Sequence, residues 1–172
     1  YAPHADYVVI KFARWAFEKF KGVEDKLGTQ MRAVGEVMSI GKTYKKALQK
    51  AVRSLEIGRY GLGFAKDFNN KSLDELMAML VEPSSERQFI IYEALRKGAD
   101  IDQLNRLTYI KPYYLQQMLE LVELEEEILN GCCNGLPDYL LIKAKKDGFA
   151  DRYLAQLTGS SEIEIRERRL SL

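Results

Sequence analysis

The sequence has few of the side chains from which catalytic and metal sites are usually built. Its 172 residues include a single histidine, His4, and only two cysteines, the neighbours Cys132 and Cys133. Adjacent cysteines close no loop of useful length, so we expect no disulfide framework, and this cysteine usage fits a reducing, cytoplasmic setting. No cysteines or histidines stand at zinc-site spacing. The single histidine lies far from both cysteines along the chain.

Long hydrophobic runs and a strong net charge are missing as well. No run approaches the roughly 18 apolar residues of a membrane span, so we predict no membrane partner. The net charge is +1, which gives no long-range attraction to nucleic acid. Residues 1–65 nevertheless carry 12 Lys and Arg against 6 Asp and Glu, whereas residues 66–172 carry 14 against 19. This asymmetry predicts two parts with different surroundings.

Hydrophobic residues make up 47% of the chain and charged residues 30%, as in an ordinary globular protein. The first part alternates strand and helix signals. Residues 7–12 and 33–40 are rich in β-branched and aromatic residues, which predicts two strands. A helix with one apolar face begins near Thr43 and stops before Gly58. We therefore expect a small α/β remnant with open sheet edges that needs partners for stability.

Residues 58–71 (GRYGLGFAKDFNNK) contain three glycines and two asparagines, which is typical of a linker. They lack the Gly-Lys-Ser/Thr ending of a phosphate-binding loop. From Ser72 onward every segment has helical periodicity. We predict a mainly α protein whose α/β remnant covers residues 1–58, followed by a linker at 59–71 and an all-helical domain at 72–172.

The helical part has clear start signals. Ser72 with Glu75 is a predicted capping box, and Ser85 with Gln88 offers a second one. Pro112 suits the first turn of a long helix that reaches about Leu129. Pro137 is predicted to start a helix ending near Gly148, and two short helices are expected at about 150–157 and 161–170.

An internal echo appears when residues 96–115 are set over residues 146–165. Gly98 then meets Gly148, and the pair Leu107-Thr108 meets Leu157-Thr158. In both copies we predict a helix that ends at the glycine, then a short helix, a turn and another helix. Such a corner also resembles a helix-turn-helix, so a free-standing helical interaction module or a DNA-binding module is the rival hypothesis. DNA binding is favoured in the second copy by three cations in its last helix, Arg166, Arg168 and Arg169. It is disfavoured in the first copy, because the acidic helix there would repel a polyanion.

The long helix from Pro112 is apolar over a wide arc. Such a helix is either central to its own domain or buried partly by another subunit. Tyr113 and Tyr114 at its start add aromatic surface of the kind enriched at interfaces. Its run of carboxylates, Glu123 to Glu127, is interpreted as a solvated helix face rather than an acid–base pair. We predict no catalytic residue, no cofactor-binding residue and no metal ligand in the chain.

The chain resembles the large subunit of carbamoyl phosphate synthetase over nearly its whole length. Asp6–Phe20, Thr29–Gly41 and the helix TYKKALQKAVRSLE are similar to the end of that subunit's first ATP-grasp domain. The run QMRAVGEVMSIGKT is the most specific part. The remainder of the chain resembles the subunit's helical oligomerisation domain, through Asp102–Thr108, Leu121–Ile128 and Gly148–Asp151. The start at Tyr1-Ala2-Pro3 is accordingly interpreted as a cut inside a longer chain rather than as a signal peptide.

The resemblance implies a parent enzyme that makes carbamoyl phosphate from bicarbonate, ammonia and two ATP, for arginine and pyrimidine biosynthesis. A small glutaminase subunit would supply the ammonia, and Mg²⁺ or Mn²⁺ and K⁺ would assist. In that family the nucleotide and metal ligands of the first site precede the point where this sequence starts. The fragment itself is therefore expected to be an inactive, cytoplasmic piece without cofactor.

The resemblance also implies partners and one candidate residue. The partners would be the rest of the large subunit, the small glutaminase subunit and further copies in a homo-oligomer, with no nucleic acid. Glu18 lies in a stretch similar to one near the route of carbamate between the two active sites, so it is a candidate for lining that route. A surface glutamate in a salt bridge is the alternative interpretation.

Overall fold

The computed structural model describes residues 6–19, 22–30, 33–65, 68–131 and 135–172. This part of the chain contains one two-stranded antiparallel sheet and eight α-helices, so the prediction of a mainly α fold with a small β remnant is confirmed. The elements are β1 (Val8–Trp15), β2 (Ala33–Gly41), α1 (Tyr44–Ser54), α2 (Leu73–Met79), α3 (Arg87–Arg96), α4 (Ile101–Thr108), α5 (Pro112–Gly131), α6 (Asp138–Lys146), α7 (Asp151–Thr158) and α8 (Glu162–Ser171).

The chain forms two compact units. The α1 unit consists of Tyr1–Ile10, Met38–Gly61 and Glu123–Leu172. The α3 unit consists of Lys11–Val37 and Leu62–Val122. The long helix α5 belongs to the α3 unit up to Val122 and to the α1 unit from Glu123 onward.

Helix α1 forms the first apolar layer of the α1 unit. Its N-cap Thr43 accepts a hydrogen bond from the Lys46 backbone N–H at 3.2 Å, which satisfies one of the exposed amides of the first turn. The predicted apolar face is buried, through Ala47, Leu48, Ala51, Val52 and Leu55. The end of β2 approaches this helix so closely that a Cβ on Gly41 would lie 2.9 Å from the Ala47 nitrogen. Glycine at this position therefore allows the close contact of strand and helix.

Helix α2 in the α3 unit has the predicted start. The Ser72 hydroxyl accepts from the Glu75 N–H at 3.2 Å, and the Glu75 carboxylate accepts from the Ser72 N–H at 2.7 Å. The second predicted capping box is wrong. Helix α3 starts at Arg87, and its N-cap Glu86 makes no side-chain cap.

Asp25 explains why the second box is not formed. Its carboxylate accepts hydrogen bonds from both the backbone N–H and the hydroxyl of Ser85. The Ser85 hydroxyl is thus used by a residue 60 positions away instead of by its own helix. Two further contacts join the segment around Asp25 to the loop before α3. The Leu27 N–H donates to the Pro83 carbonyl at 2.7 Å, and Lys26 forms an ion pair with Glu82 at 2.6 Å.

The predicted duplicated corner is confirmed in the backbone. The first corner is α3, α4 and the start of α5, and the second corner is α6, α7 and α8. Gly98 and Gly148 end the first helix of each corner at φ +86° and +96°. Residues Ala99 and Phe149, which come directly after them, donate from their N–H groups to the carbonyls of Ala94 and Ala144 at 2.9 and 3.0 Å. Both corners therefore use the same six-residue helix C-terminal closure.

Helix α5 is central to the chain's own fold. Six of its apolar side chains are almost fully buried without any second subunit, at Leu115, Met118, Leu121, Val122, Leu124 and Ile128. Leu119 and Leu129 are half-buried. Of the two interpretations of the wide apolar arc, the structure therefore supports the plain core.

Candidate functional site

The sheet presents an exposed apolar face. Alternate residues of β2 point outward, and Met38 is 64% and Ile40 47% exposed. Val9 on the neighbouring strand is 45% exposed. A two-stranded sheet is marginally stable in water, and an exposed apolar face of this kind is typical of a surface that another layer covers.

The segment predicted as a linker is packed rather than free at its start. Within the α1 unit the Arg152 guanidinium lies 4.1 Å from the centre of the Tyr60 ring. A Cβ on Gly61 would overlap the Tyr153 ring, so only glycine fits there. The Tyr153 hydroxyl in turn donates to the carboxylate of Glu125 at 2.9 Å, and both side chains are buried. The chain is therefore fixed on α7 at this point.

The continuation of that segment is fixed within the α3 unit. The Phe64 backbone N–H donates to the fully buried Glu93 carboxylate at 3.2 Å. Arg96 forms an ion pair with Glu93 at 3.3 Å and places its guanidinium 4.8 Å from the centre of the Phe64 ring. The backbone hydrogen bond and the ion pair together offset part of the cost of burying the Glu93 carboxylate.

An ion-pair cluster lies at the second corner. Asp151, at the first turn of α7, is bonded by Lys145 at 2.7 Å and by Arg169 at 3.0 Å. Burial alone would raise the pKa of Asp151, but the hydrogen bonds and charges of Lys145 and Arg169 hold that pKa below its ordinary value. Helix α1 also contacts the second corner. Lys45 forms an ion pair with Asp147 at 3.2 Å, and the Arg53 guanidinium donates a hydrogen bond to the Gly148 carbonyl at 3.0 Å.

Two of the three arginines of α8 form ion pairs with carboxylates of the same chain. Arg168 pairs with Asp138 at 2.6 Å and Arg169 with Asp151, whereas Arg166 is exposed. Two of the three cations that favoured a DNA-recognition helix are therefore neutralised by carboxylates of the same chain. This counts against the helix-turn-helix hypothesis, because recognition needs such groups to be available for phosphates.

Three tyrosines are displayed where α4 turns into α5. Tyr113 and Tyr114 are 60% and 41% exposed, and their rings meet edge to face at 5.3 Å. Sequence reasoning found these two and missed Tyr109, which is 88% exposed and adopts φ +58° in the left-handed region. The internal alignment carried the missing signal, since it places Tyr109 over Gly159, which has φ +68°.

The turn that carries Tyr109 is held firmly. The Asn105 amide donates to the Ile110 carbonyl at 2.7 Å, and the Arg87 guanidinium donates to the Thr108 carbonyl at 2.9 Å. The Thr108 hydroxyl donates to the Leu104 carbonyl at 2.6 Å. Tyr109 is therefore kept in a conformation that a bulky residue rarely adopts.

The remaining sequence candidates are only partly described. His4, Cys132 and Cys133 lie outside the described residues. Glu18 belongs to a short 3-10 helix, Phe17–Lys19, but its side chain lies outside the described part, so its role stays a prediction. Among the residues that the structure describes, no three His, Cys, Asp or Glu side chains are grouped so as to hold a metal ion. None of the described helices is long and apolar enough to cross a membrane.

Comparison with known proteins gives a consistent family. The family model of the carbamoyl-phosphate synthetase large chain, oligomerisation domain, matches residues 36–172. The carbamoyl phosphate synthase large chain of Archaeoglobus fulgidus is 41% identical over 98% of this chain and 16% of that protein. The corresponding large chain of Vibrio cholerae is 44% identical over 98% of this chain and 16% of that protein.

One relative is itself divided. The protein named carbamoyl phosphate synthase large chain, N-terminal section, of Methanopyrus kandleri is 39% identical over 100% of this chain and 33% of its own length. The chain thus spans about a sixth of the undivided large chains and a third of this section.

Proposed function

The chain belongs to the carbamoyl phosphate synthetase large-chain family, and we propose that it acts there as a non-catalytic scaffold that joins domains and supports association. Its domains would have the boundaries predicted from the sequence, with an ATP-grasp remnant at 1–58, a linker at 59–71 and the oligomerisation domain at 72–172. The exposed apolar face of the β1–β2 sheet carries this proposal, because such a face needs a covering layer that the described residues do not provide.

The parent enzyme is proposed to be an ATP-dependent carbon–nitrogen ligase. It would make carbamoyl phosphate from bicarbonate, glutamine-derived ammonia and two ATP, with Mg²⁺ or Mn²⁺ and K⁺. In this arrangement the chain contributes no reacting group. Its partners are the rest of the large chain, the small glutaminase subunit and further copies of itself, in the cytoplasm.

The packed segment from Tyr60 to Phe64 supports a scaffold rather than a flexible tether. A tether would be exposed and free of specific contacts. Here Gly61 is fixed under Tyr153, and the Phe64 amide is held by Glu93. Each end of this segment is thus held by specific contacts within its own unit, as a scaffold requires.

The test changes the sheet face in two settings. Met38→Lys with Ile40→Lys places two cations on exposed positions, so the isolated 172-residue chain should keep its helicity and its unfolding midpoint. In a complete large chain that carries this segment, the same double variant should lose most carbamoyl phosphate formation, because the covering layer would have to bury two charges. Lys42→Met with Lys50→Met, at exposed positions of the α1 unit, is the control.

Two results would contradict the proposal. One is full activity of the large chain with both lysines on the sheet face. The other is carbamoyl phosphate formation by the isolated chain when it is given ATP, bicarbonate and ammonia.

A further inference from the structure

A groove of about 550 Å³ lies wholly within the α1 unit, where helix α1 meets the second corner. Its volume falls in the range of pockets that hold small ligands. Four cations and two carboxylates line the groove and give it a net charge of +2. These side chains are Lys46, Arg53, Lys145, Arg152, Asp151 and Glu162. A lining with more cations than carboxylates favours an anionic occupant.

Asp151 contributes little negative charge to the groove. Its carboxylate is bonded by Lys145 at 2.7 Å and by Arg169 at 3.0 Å. Because two cations share this one carboxylate, its charge is neutralised within the fold, and Lys145 is occupied by the same contact.

Three cations of the lining remain available. In the part of the chain that the structure describes, no carboxylate lies within ion-pair distance of Lys46, Arg53 or Arg152. Lys46 and Arg152 are exposed, whereas Arg53 is half-buried. Of the two lining carboxylates, only Glu162 then opposes these three positive charges.

Arg53 is fixed at the wall of the groove. Its guanidinium donates to the Gly148 carbonyl at 3.0 Å. Burial lowers the pKa of Arg53, because partial removal from water disfavours the charged form, although arginine stays protonated. A partly desolvated cation attracts an incoming anion more strongly than a fully solvated one does. Lys46 lies two turns earlier on the same face of α1, about 10 Å away along the helix axis.

Arg152 and the wall beside it are ordered before any ligand binds. The Arg152 guanidinium lies 4.1 Å from the centre of the Tyr60 ring, where stacking restricts its orientation. The wall is close-packed, since a Cβ on Gly148 would lie 2.8 Å from the Lys46 Cα. Groups that are already fixed lose little conformational freedom on binding.

From this groove we propose that the chain binds a small phosphate monoester, whose charge is met by Lys46, Arg53 and Arg152. A dianion suits three cations opposed by one carboxylate. The paired N–H donors of arginine match the oxygens of a phosphate group. The groove is larger than a phosphate ion requires, which leaves room for the alcohol part of an ester. This binding goes beyond the scaffold role and does not depend on it.

The test is the acetylation rate of individual lysines, read by mass spectrometry, in a complete large chain that carries this segment. Glycerol phosphate and inorganic phosphate are the probes, with the ionic strength held constant by sodium chloride. Glycerol phosphate should slow acetylation of Lys46 about threefold or more, with half the effect at about 1 mM, as expected for so small a ligand. Lys50, which is exposed on α1 outside the groove, is the control within the same sample.

Two variants test the charges of the groove. Arg152→Met should raise the half-effect concentration about fivefold or more, because it removes a phosphate donor. Glu162→Gln should lower that concentration about threefold, because it removes the opposing carboxylate. Glu167→Gln removes the same charge at an exposed position of α8 outside the groove and should change nothing. A purely structural role of the groove residues predicts no tighter binding in Glu162→Gln.

The contrary outcomes are distinct. Acetylation of Lys46 that neither probe slows, or that is slowed no more than at Lys50, would overturn the groove as an anion site. So would a Lys46 that is unreactive before any probe is added, since the rest of the large chain would then fill the groove. Protection by inorganic phosphate alone would overturn the assignment of an ester. An unchanged or higher half-effect concentration in Glu162→Gln would overturn the charge argument.

Failure here is distinguishable from failure of the scaffold role. The sheet-face variants test that role by carbamoyl phosphate formation, and Lys46 acetylation tests the groove. Either result can be negative while the other is positive.

Discussion

The two helical corners share a backbone but differ in what surrounds their matching positions. A Cβ on Gly98 in the first corner would meet nothing within 4 Å, whereas one on Gly148 in the second would lie 2.8 Å from the Lys46 Cα. Asp100 caps α4 by accepting from the Gln103 N–H, while Ala150 at the equivalent position of α7 has no side chain to do so. The same fold motif is thus stabilised locally in one copy and by its neighbours in the other.

The two corners should differ most in the stability lost when Gly98 or Gly148 is replaced. Gly148→Ala should destabilise the chain by about 3 kcal/mol or more, because it adds a backbone clash with α1 to the strain of a positive φ. Gly98→Ala should cost only about 1 kcal/mol, since the strain acts alone. Urea unfolding followed by circular dichroism measures both. Equal losses in the two variants would show that α1 yields to the added methyl group.

The next difference concerns the acidic residues at the two α-helix starts. Asp151→Asn should cost about 2 kcal/mol near neutral pH, since it removes a largely buried carboxylate from two cations. Asp100→Ala removes one N-cap hydrogen bond and should cost about 1 kcal/mol. A smaller loss at Asp151 than at Asp100 would indicate that its burial offsets its ion pairs.

The same carboxylate predicts a pH dependence. Lys145 and Arg169 hold the folded-state pKa of Asp151 below its ordinary value, which the unfolded chain keeps. Its stabilisation is therefore complete above the unfolded-state pKa and is lost as pH falls through the folded-state value. The stability difference between the parent chain and Asp151→Asn should shrink as pH falls below about 4. Unfolding curves from about pH 7 down to about pH 3 measure this convergence, and a constant difference would contradict it.

The smallest expected changes in stability are at Tyr109 and Gly159, the matching residues that end α4 and α7. Tyr109→Asn should stabilise the chain by roughly 0.5–1 kcal/mol, whereas Gly159→Ala should destabilise it by about 1 kcal/mol, because only strain changes at either site. A Cβ on Gly159 would meet nothing within 4 Å. Thermal unfolding of both variants, at a concentration where the chain is monomeric, measures this pair. A stability loss in Tyr109→Asn would show that the tyrosine makes packing contacts that outweigh its strain.

Features set by neighbouring residues were predictable from the sequence. The Ser72–Glu75 capping box, the first turn at Pro112 and the duplicated corner all depend on residues close together in the chain, and all are confirmed. The box at Ser85 failed because Asp25, distant in sequence, competes for its hydroxyl. Glycines in the segment 58–71 indicated a linker, but Gly61 is there to make room for the Tyr153 ring.

The sequence by itself determined the mainly α composition, the strand and helix order and the internal repeat, because hydrophobic period, capping and turn chemistry act over a few residues. The family was indicated separately, by the resemblance of runs such as QMRAVGEVMSIGKT to a known subunit. Only the tertiary structure decided that α5 is a core helix with a narrow polar stripe, that Arg168 and Arg169 are neutralised, and that Tyr109 is strained and exposed. These features depend on which side chains meet in the folded chain. Contacts between residues that are distant in sequence have no characteristic spacing, so no sequence pattern reveals them.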